Sequence, residues 1–191
     1  MRRIFFAAGS AALIAAGSAS AEPETYTVDP RHTFPTYEVN HNGYSVQRGR
    51  FNKTSGRVTI DIAAKKGAVE IAMETASVSS GIDKLDELLR GEDFFNAAKF
   101  PVITFKSNNL SFEGERLKSL SGDLTIKGVT RPVTFTVSLF HCAPNPLTKT
   151  KTCGGDIATT IKRSDFGVMY ALPNLADDVT LRIGVEGIKE G

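Results

Sequence analysis

The chain has 191 residues, 41% of them hydrophobic and 23% charged, with 23 Lys and Arg against 21 Asp and Glu. These fractions exclude wholesale disorder and suit one folded domain, and a formal charge of +2 without a polybasic run gives nucleic-acid binding no electrostatic support. Two cysteines are too few for a disulfide-built miniprotein or a four-cysteine zinc site.

The first segment reads as an export signal. Arg2 and Arg3 precede an apolar stretch from Ile4 to Gly17, and Ala19-Ser20-Ala21 offers the small-x-small pattern that signal peptidase cuts. The stretch is shorter than the roughly 20 residues needed to span a bilayer. The expectation is a cleaved signal over 1–21, a folded domain over 22–191 and a periplasmic location, with the Sec route preferred over the twin-arginine one. Losing Arg2 and Arg3 takes the 23 basic residues to 21, equal to the acidic count. No later segment is apolar enough to cross a membrane, so an integral membrane protein is not expected.

From Tyr26 onward the pattern has period two. Pro35, Tyr37 and Val39 alternate with polar residues, as do Val58, Ile60 and Ile62, and then Val69, Ile71 and Met73. One segment departs from this: Ile82, Leu85, Leu88 and Leu89 recur at helical spacing and Gly91 follows as a stop, while Phe94-Phe95 and Phe100-Pro101 suggest a second short turn. Alternation resumes through Ile103 and Phe105, Leu120 to Ile126, Val133 to Leu139, Ile157 and Ile161, and Val179 to Val185. Gly56, Gly67, Gly114, Gly122, Gly128 and Gly154-Gly155 are read as lying at or near strand ends. Short links make neighbouring strands antiparallel. Strands with one apolar face each must close into a barrel or split into a sandwich, and the pattern alone leaves both open.

Cys142 and Cys153 flank a segment with two prolines and an asparagine, read as a turn or loop. In an oxidising compartment a structural disulfide is favoured over a reactive or metal-binding thiol pair.

Three stretches resemble the YceI-like family of exported lipocalin-like proteins. They are Tyr26-Thr-Val-Asp29 with His32, His41-Asn-Gly43 and Gly49-x-Phe51; Leu89-Arg-Gly-Glu-Asp-Phe-Phe95 with Phe100-Pro-x-Ile-Thr-Phe105; and Leu124 to Val133 with Lys162-Arg-Ser-Asp-Phe-Gly167. The resemblance implies a single antiparallel eight-stranded lipocalin-like barrel, with one or two short helices covering an end. It also implies a hydrophobic pore for a polyisoprenoid lipid, such as an isoprenoid quinone or a polyprenyl phosphate. Leu88 and Gly91 stand where the family often has His and Ser.

On that basis the candidate ligand-binding residues are Tyr37, Val39, His41, Phe51, Ile71, Ile103, Phe105, Leu124, Phe135, Ile161, Leu181 and Ile183, all on apolar strand faces except the rim candidate His41. The bland alternative is a solid core. His32, His41 and His141 are the only histidines, and their spacing matches no compact metal motif, so neither a metal nor a cofactor is expected. Ser164-Asp165 lacks any nucleophile elbow, so Arg163 and Asp165 are expected to fix the turn into Phe166-Gly167. Arg131-Pro132 marks a hairpin and strand entry, or meets a phosphate at a barrel mouth. The leading function is a periplasmic carrier rather than an enzyme, with transport, storage and stress protection all open. The alternatives are an enzyme of isoprenoid or quinone metabolism, for which His41 is the only inward candidate, and a ligand-free partner of a membrane redox protein. A homodimer is also left open.

Overall fold

The computed structural model describes residues 22–191, so the expected export signal over 1–21 lies outside the described residues. The strands are β1 (Glu24–Val28), β2 (Phe34–His41), β3 (Ser45–Phe51), β4 (Thr54–Asp61), β5 (Lys66–Glu74), β6 (Val78–Ser79), β7 (Val102–Glu113), β8 (Arg116–Ile126), β9 (Val129–Pro144), β10 (Lys151–Lys162) and β11 (Leu175–Lys189). Among the described residues the one α-helix, α1 (Asp83–Arg90), interrupts them between β6 and β7.

The hydrogen-bonded order is β1-β4-β5-β7-β8-β9-β10-β11-β2-β3-β6, and β1 also pairs with β11. That last pairing closes a ring. β1 and β2 lie end to end along β11, with Val28 opposite Gly187 and Phe34 opposite Gly184. β4 and β3 continue each other against β1 and β2, and β5 and β6 continue each other against β4 and β3. The result is a closed barrel of eight long antiparallel strands in chain order, the architecture that the family resemblance implies.

The break between β1 and β2 has a local cause. Pro30 has no N–H for the ladder, and Asp29 gathers the turn around its carboxylate. The Arg31 backbone N–H and Nε each donate to Asp29 Oδ1 at 3.0 Å, and His32 Nδ1 stands 2.9 Å from Oδ2. The first strand of the barrel is therefore bent rather than ended.

Alternating strand directions give the barrel two distinct ends. One carries the 42–44 tip, the 80–101 link with α1, the Lys127-Gly128 tip and the 163–174 link; the other carries the 62–65, 114–115 and 145–150 tips. The Lys127-Gly128 tip is a two-residue turn with φ of 51° and 77°, the doubly left-handed geometry that matches strand twist.

The short turn expected after α1 forms at Phe94-Phe95, and Phe100-Pro101 leads on into β7. Several other sequence expectations need correction. The cysteines lie inside β9 and β10 as direct cross-strand partners, so the loop between them is only the 145–150 tip; they form the expected disulfide. Gly122, Gly154 and Gly155 fall within strands rather than at their ends. At Gly122 the requirement is close approach: a Cβ there would stand 2.1 Å from the Lys106 carbonyl oxygen, beside a register shift in β7. Leu139 points outward, because the pairing of β9 with β10 slips by one residue at Ser138; Val137 faces in before the slip and Phe140 after it.

Candidate functional site

An elongated cavity of about 600 Å³ runs inside the barrel. Its wall is built by the period-two faces of the strands, and all twelve candidate positions border it. Apart from the exposed His41, they divide into two groups by packing. Phe51, Ile103, Phe105, Leu124 and Phe135 are buried in a continuous cluster, with the Phe105 and Phe135 rings edge to face at 5.1 Å, and Val39 is buried outside that cluster. Tyr37, Ile71, Ile161, Leu181 and Ile183 are only partly buried although they face inward. Partial exposure on an inward face means open lumen. One side of the barrel is thus packed like a core, and the free space lies mainly against β10, β11 and β2.

The cavity opens at the helix end. Of the residues that border it, the exposed ones are His41 and Gln47 on the β2–β3 hairpin, Arg48 beside them, Leu88 on α1, and Tyr170 and Ala171 on the 163–174 link. Beside this mouth, β3 pairs with β2 over Thr36–His41, but β6 takes only Arg50 and Phe51 on its other side. The edge of β3 from Ser45 to Gly49 therefore faces no further strand. Leu85, Leu88 and Leu89 of α1, with Phe94 and Phe95, complete the wall on that side.

At the opposite end the lumen is stopped by Tyr26, whose hydroxyl donates to Glu24 Oε2 at 2.6 Å. Glu24 also accepts from Lys151 and, at 2.7 Å, from Lys189. These bonds, that to Lys151 foremost, hold its carboxyl down from 4.5 to about 2.

The lining is strongly apolar and includes no carboxylate. Arg163 borders it but is committed elsewhere. Its guanidinium donates to the carbonyl oxygens of Val168 at 2.9 Å, Tyr170 at 2.8 Å, Leu175 at 2.9 Å and Ala176 at 2.9 Å, which ties the 163–174 link across the barrel end. The expected structural role of Arg163 holds, but the carboxylate that assists it is Asp177, not Asp165. Asp177 accepts from the Ser164 N–H at 2.9 Å and the Ser164 hydroxyl at 2.8 Å, while Asp165 is exposed. Arg48 donates to Glu38 at 2.9 Å on the outer wall. Burial, reinforced by the Asp86 charge, raises the Tyr37 phenol to about 12, so it remains a protonated donor.

Among the described residues no three His, Cys, Asp or Glu side chains assemble to hold a metal. His41 stands at the mouth as its strand parity suggested, whereas His32 and His141 border a separate groove on the outer wall. Arg131 is exposed in β9 and takes no part in the cavity. Sequence reading missed Phe140, hidden by the slip at Ser138, and Tyr170, whose irregular link has no periodicity to read. It also missed Leu85, Leu88 and Leu89 as lining residues, although their helical stripe had suggested a cover.

A family model described as the YceI-like domain matches residues 26–187. Protein YceI of Escherichia coli O6:H1 is 34% identical over 181 residues, covering 93% of each chain. Among solved structures, Burkholderia cenocepacia BcnA superposes with a TM-score of 0.71 at 27% identity, over 83% of this chain and 98% of that one. A polyisoprenoid binding domain from Saccharophagus degradans, at 18% identity and a TM-score of 0.64, covers 86% of this chain and 98% of its own and shares the fold.

Proposed function

The chain belongs to the YceI-like family, and from that premise we propose that it is a periplasmic binding and carrier protein for a long-chain isoprenoid lipid, an isoprenoid quinone or a polyprenyl phosphate. The tail occupies the barrel and the head group sits at the helix-end mouth. What carries this reading is the lumen itself, about 600 Å³ of apolar, carboxylate-free space open at one end. A charged or sugar-like guest would lose hydration there without gaining partners. An isoprenoid tail loses nothing, and each buried five-carbon unit contributes roughly 3–4 kcal/mol at about 0.8 kcal/mol per carbon. The name given to the Saccharophagus degradans domain accords with such a guest. Ile71, Ile161, Leu181 and Ile183 form the tail-facing wall in this reading, while the Tyr37 phenol and His41 meet the polar end. The Arg2-Arg3 start and the Ala19-Ser20-Ala21 pattern support export, with cleavage after Ala21.

The test is mass spectrometry of an organic extract of protein purified from the periplasm. A co-purified isoprenoid, and saturable uptake of ubiquinone dispersed in detergent, are the expected results. A protein that emerges empty and takes up no ubiquinone overturns the proposal.

A further inference from the structure

Large hydrophobic residues left in water are not scattered over this barrel. Among the described residues, all of the strongly exposed ones except Leu139 and Leu147 lie at the helix end. Besides Val46 in β3 and Val102 at the start of β7, they come from three separate segments around the mouth. Tyr44, 86% exposed, tips the β2–β3 hairpin; Ile82 at 60% and Leu88 at 40% flank and belong to α1; Met169 at 62% and Tyr170 at 48% sit on the 163–174 link. These segments meet in space. The Asn42 N–H donates to the Asn174 carbonyl at 3.2 Å, the Tyr170 ring lies 5.4 Å from Phe94, and Leu88 and Tyr170 both border the cavity.

Apolar side chains on three unconnected segments, ringing one opening, form a surface rather than a coincidence of sequence. Its composition suits the headgroup boundary of a bilayer, with tyrosines that carry an apolar ring and a polar tip among aliphatic residues. Charges on α1 are mixed in sign, Asp83, Asp86 and Glu87 with Lys84 and Arg90, so the helix presents no basic field to select anionic lipid. We infer that the helix end is a bilayer-docking face, which seats Tyr44, Ile82 and Met169 in the membrane boundary and lets an isoprenoid tail pass between bilayer and lumen beside the unpaired edge of β3. The inference rests on the carrier reading: a guest insoluble in water resides in a bilayer, and the face around the mouth is the one that must meet it.

Flotation with vesicles of pure phosphatidylcholine, with no ubiquinone present, tests docking alone. The parent protein is expected to float with the vesicles at low and at high salt. The triple variant Tyr44→Ser, Ile82→Ser, Met169→Ser, whose positions do not line the cavity, is expected to lose about tenfold in partitioning, as binding scales with buried apolar area. Leu147→Ser at the far end is expected to change nothing. With ubiquinone loaded in the same vesicles, the triple variant should extract it about tenfold more slowly, while equilibrium uptake from detergent stays at the parent level. A parent protein that fails to float, or a triple variant that floats and extracts like the parent, overturns the inference. So does sedimentation showing a dimer that the triple variant loses without any vesicle binding, because the rim then serves a second copy. A parent protein that floats but emerges empty from the periplasm and takes up no ubiquinone from detergent supports docking and removes the carrier reading instead.

Discussion

The ring of Tyr37 lies across Gly49, its direct cross-strand partner on the inner face of the barrel. A Cβ at position 49 would stand 2.3 Å from the Tyr37 hydroxyl oxygen and 2.4 Å from the ring carbon that bears it. The missing side chain lets the aromatic ring lie against the wall instead of across the lumen. Gly49→Ala should swing Tyr37 into the cavity rather than unfold the barrel, because a side-chain end can move where backbone cannot. The expected outcome is a loss of about 1–3 kcal/mol in ubiquinone affinity, with the thermal midpoint little changed. Titration beside a melting curve separates the two effects.

Leu181 and Phe135 both border the cavity, but Leu181 is only partly buried while Phe135 is fully packed, and that difference makes a second test. Leu181→Trp adds a fluorophore to a chain that has no tryptophan and should fold, since the lumen has room for the ring. Added ubiquinone should quench it saturably. Phe135→Trp should destabilise the barrel by about 1–3 kcal/mol, because its ring is already packed edge to face on Phe105. Equal tolerance at the two positions would show that the lumen is not confined to one side.

Arg163→Met would leave four carbonyls of the 163–174 link and β11 without donors. A loss of about 3 kcal/mol or more in urea unfolding is expected, with early proteolysis within 163–174. Arg163→Lys should recover only part of it, since an ammonium cannot span four carbonyls as a planar guanidinium does.

The sequence conveyed the barrel's faces well and its interruptions poorly. Alternation is a local signal, and every candidate residue from Tyr37 to Ile183 does border the cavity. The slip at Ser138 is invisible in that pattern, because it depends on how β9 pairs with β10, and so alternation alone points Leu139 inward and Phe140 outward. Gly122 resembles a turn residue in the sequence because a glycine demanded by a neighbouring carbonyl looks the same as one demanded by φ. Asp165 stood next to Ser164 in sequence, whereas the carboxylate that holds Ser164 comes from Asp177, on the strand that returns after the link. The mouth was the least legible part, since its rim is assembled from three segments far apart in the chain.

The disulfide should matter for stability rather than for binding. Cys142 and Cys153 join adjacent strands toward the far end, close to the 145–150 tip, although Cys153 borders the lumen. Replacing both with Ser should lower stability by roughly 3 kcal/mol and leave ubiquinone uptake near the parent level. Unchanged stability with lost uptake would point to a functional thiol pair.

Acid should weaken the far end. Glu24 is held at about 2 against an ordinary 4.5 by Lys151 and Lys189, and Asp29 is held below its ordinary 3.8, chiefly by Arg31. The folded form therefore binds fewer protons than the unfolded chain below about pH 5, so stability rises with pH there. The contribution of Glu24 is fully present above 4.5 and is lost as the pH falls through about 2. Glu24→Gln should flatten the pH dependence of the thermal midpoint in that window and lower the midpoint at neutral pH.

Closure of the ring by β1 on β11 brings Tyr26 opposite Lys189, and the Glu190 N–H donates to the Thr25 carbonyl at 2.8 Å. Two positions more than 160 residues apart in sequence are thus hydrogen-bonded neighbours, at the end of the barrel away from the mouth. A short peptide could splice them, and the chain could be recut at the exposed 145–150 tip, giving a circular permutant in which every strand keeps its neighbours. In such a molecule β10 and β11 would emerge before β1, and the seam of the ring would become an ordinary turn. The loading face would be untouched by the surgery, so a permutant that folds would carry its new ends, and any label fused to them, on the side that never meets the guest.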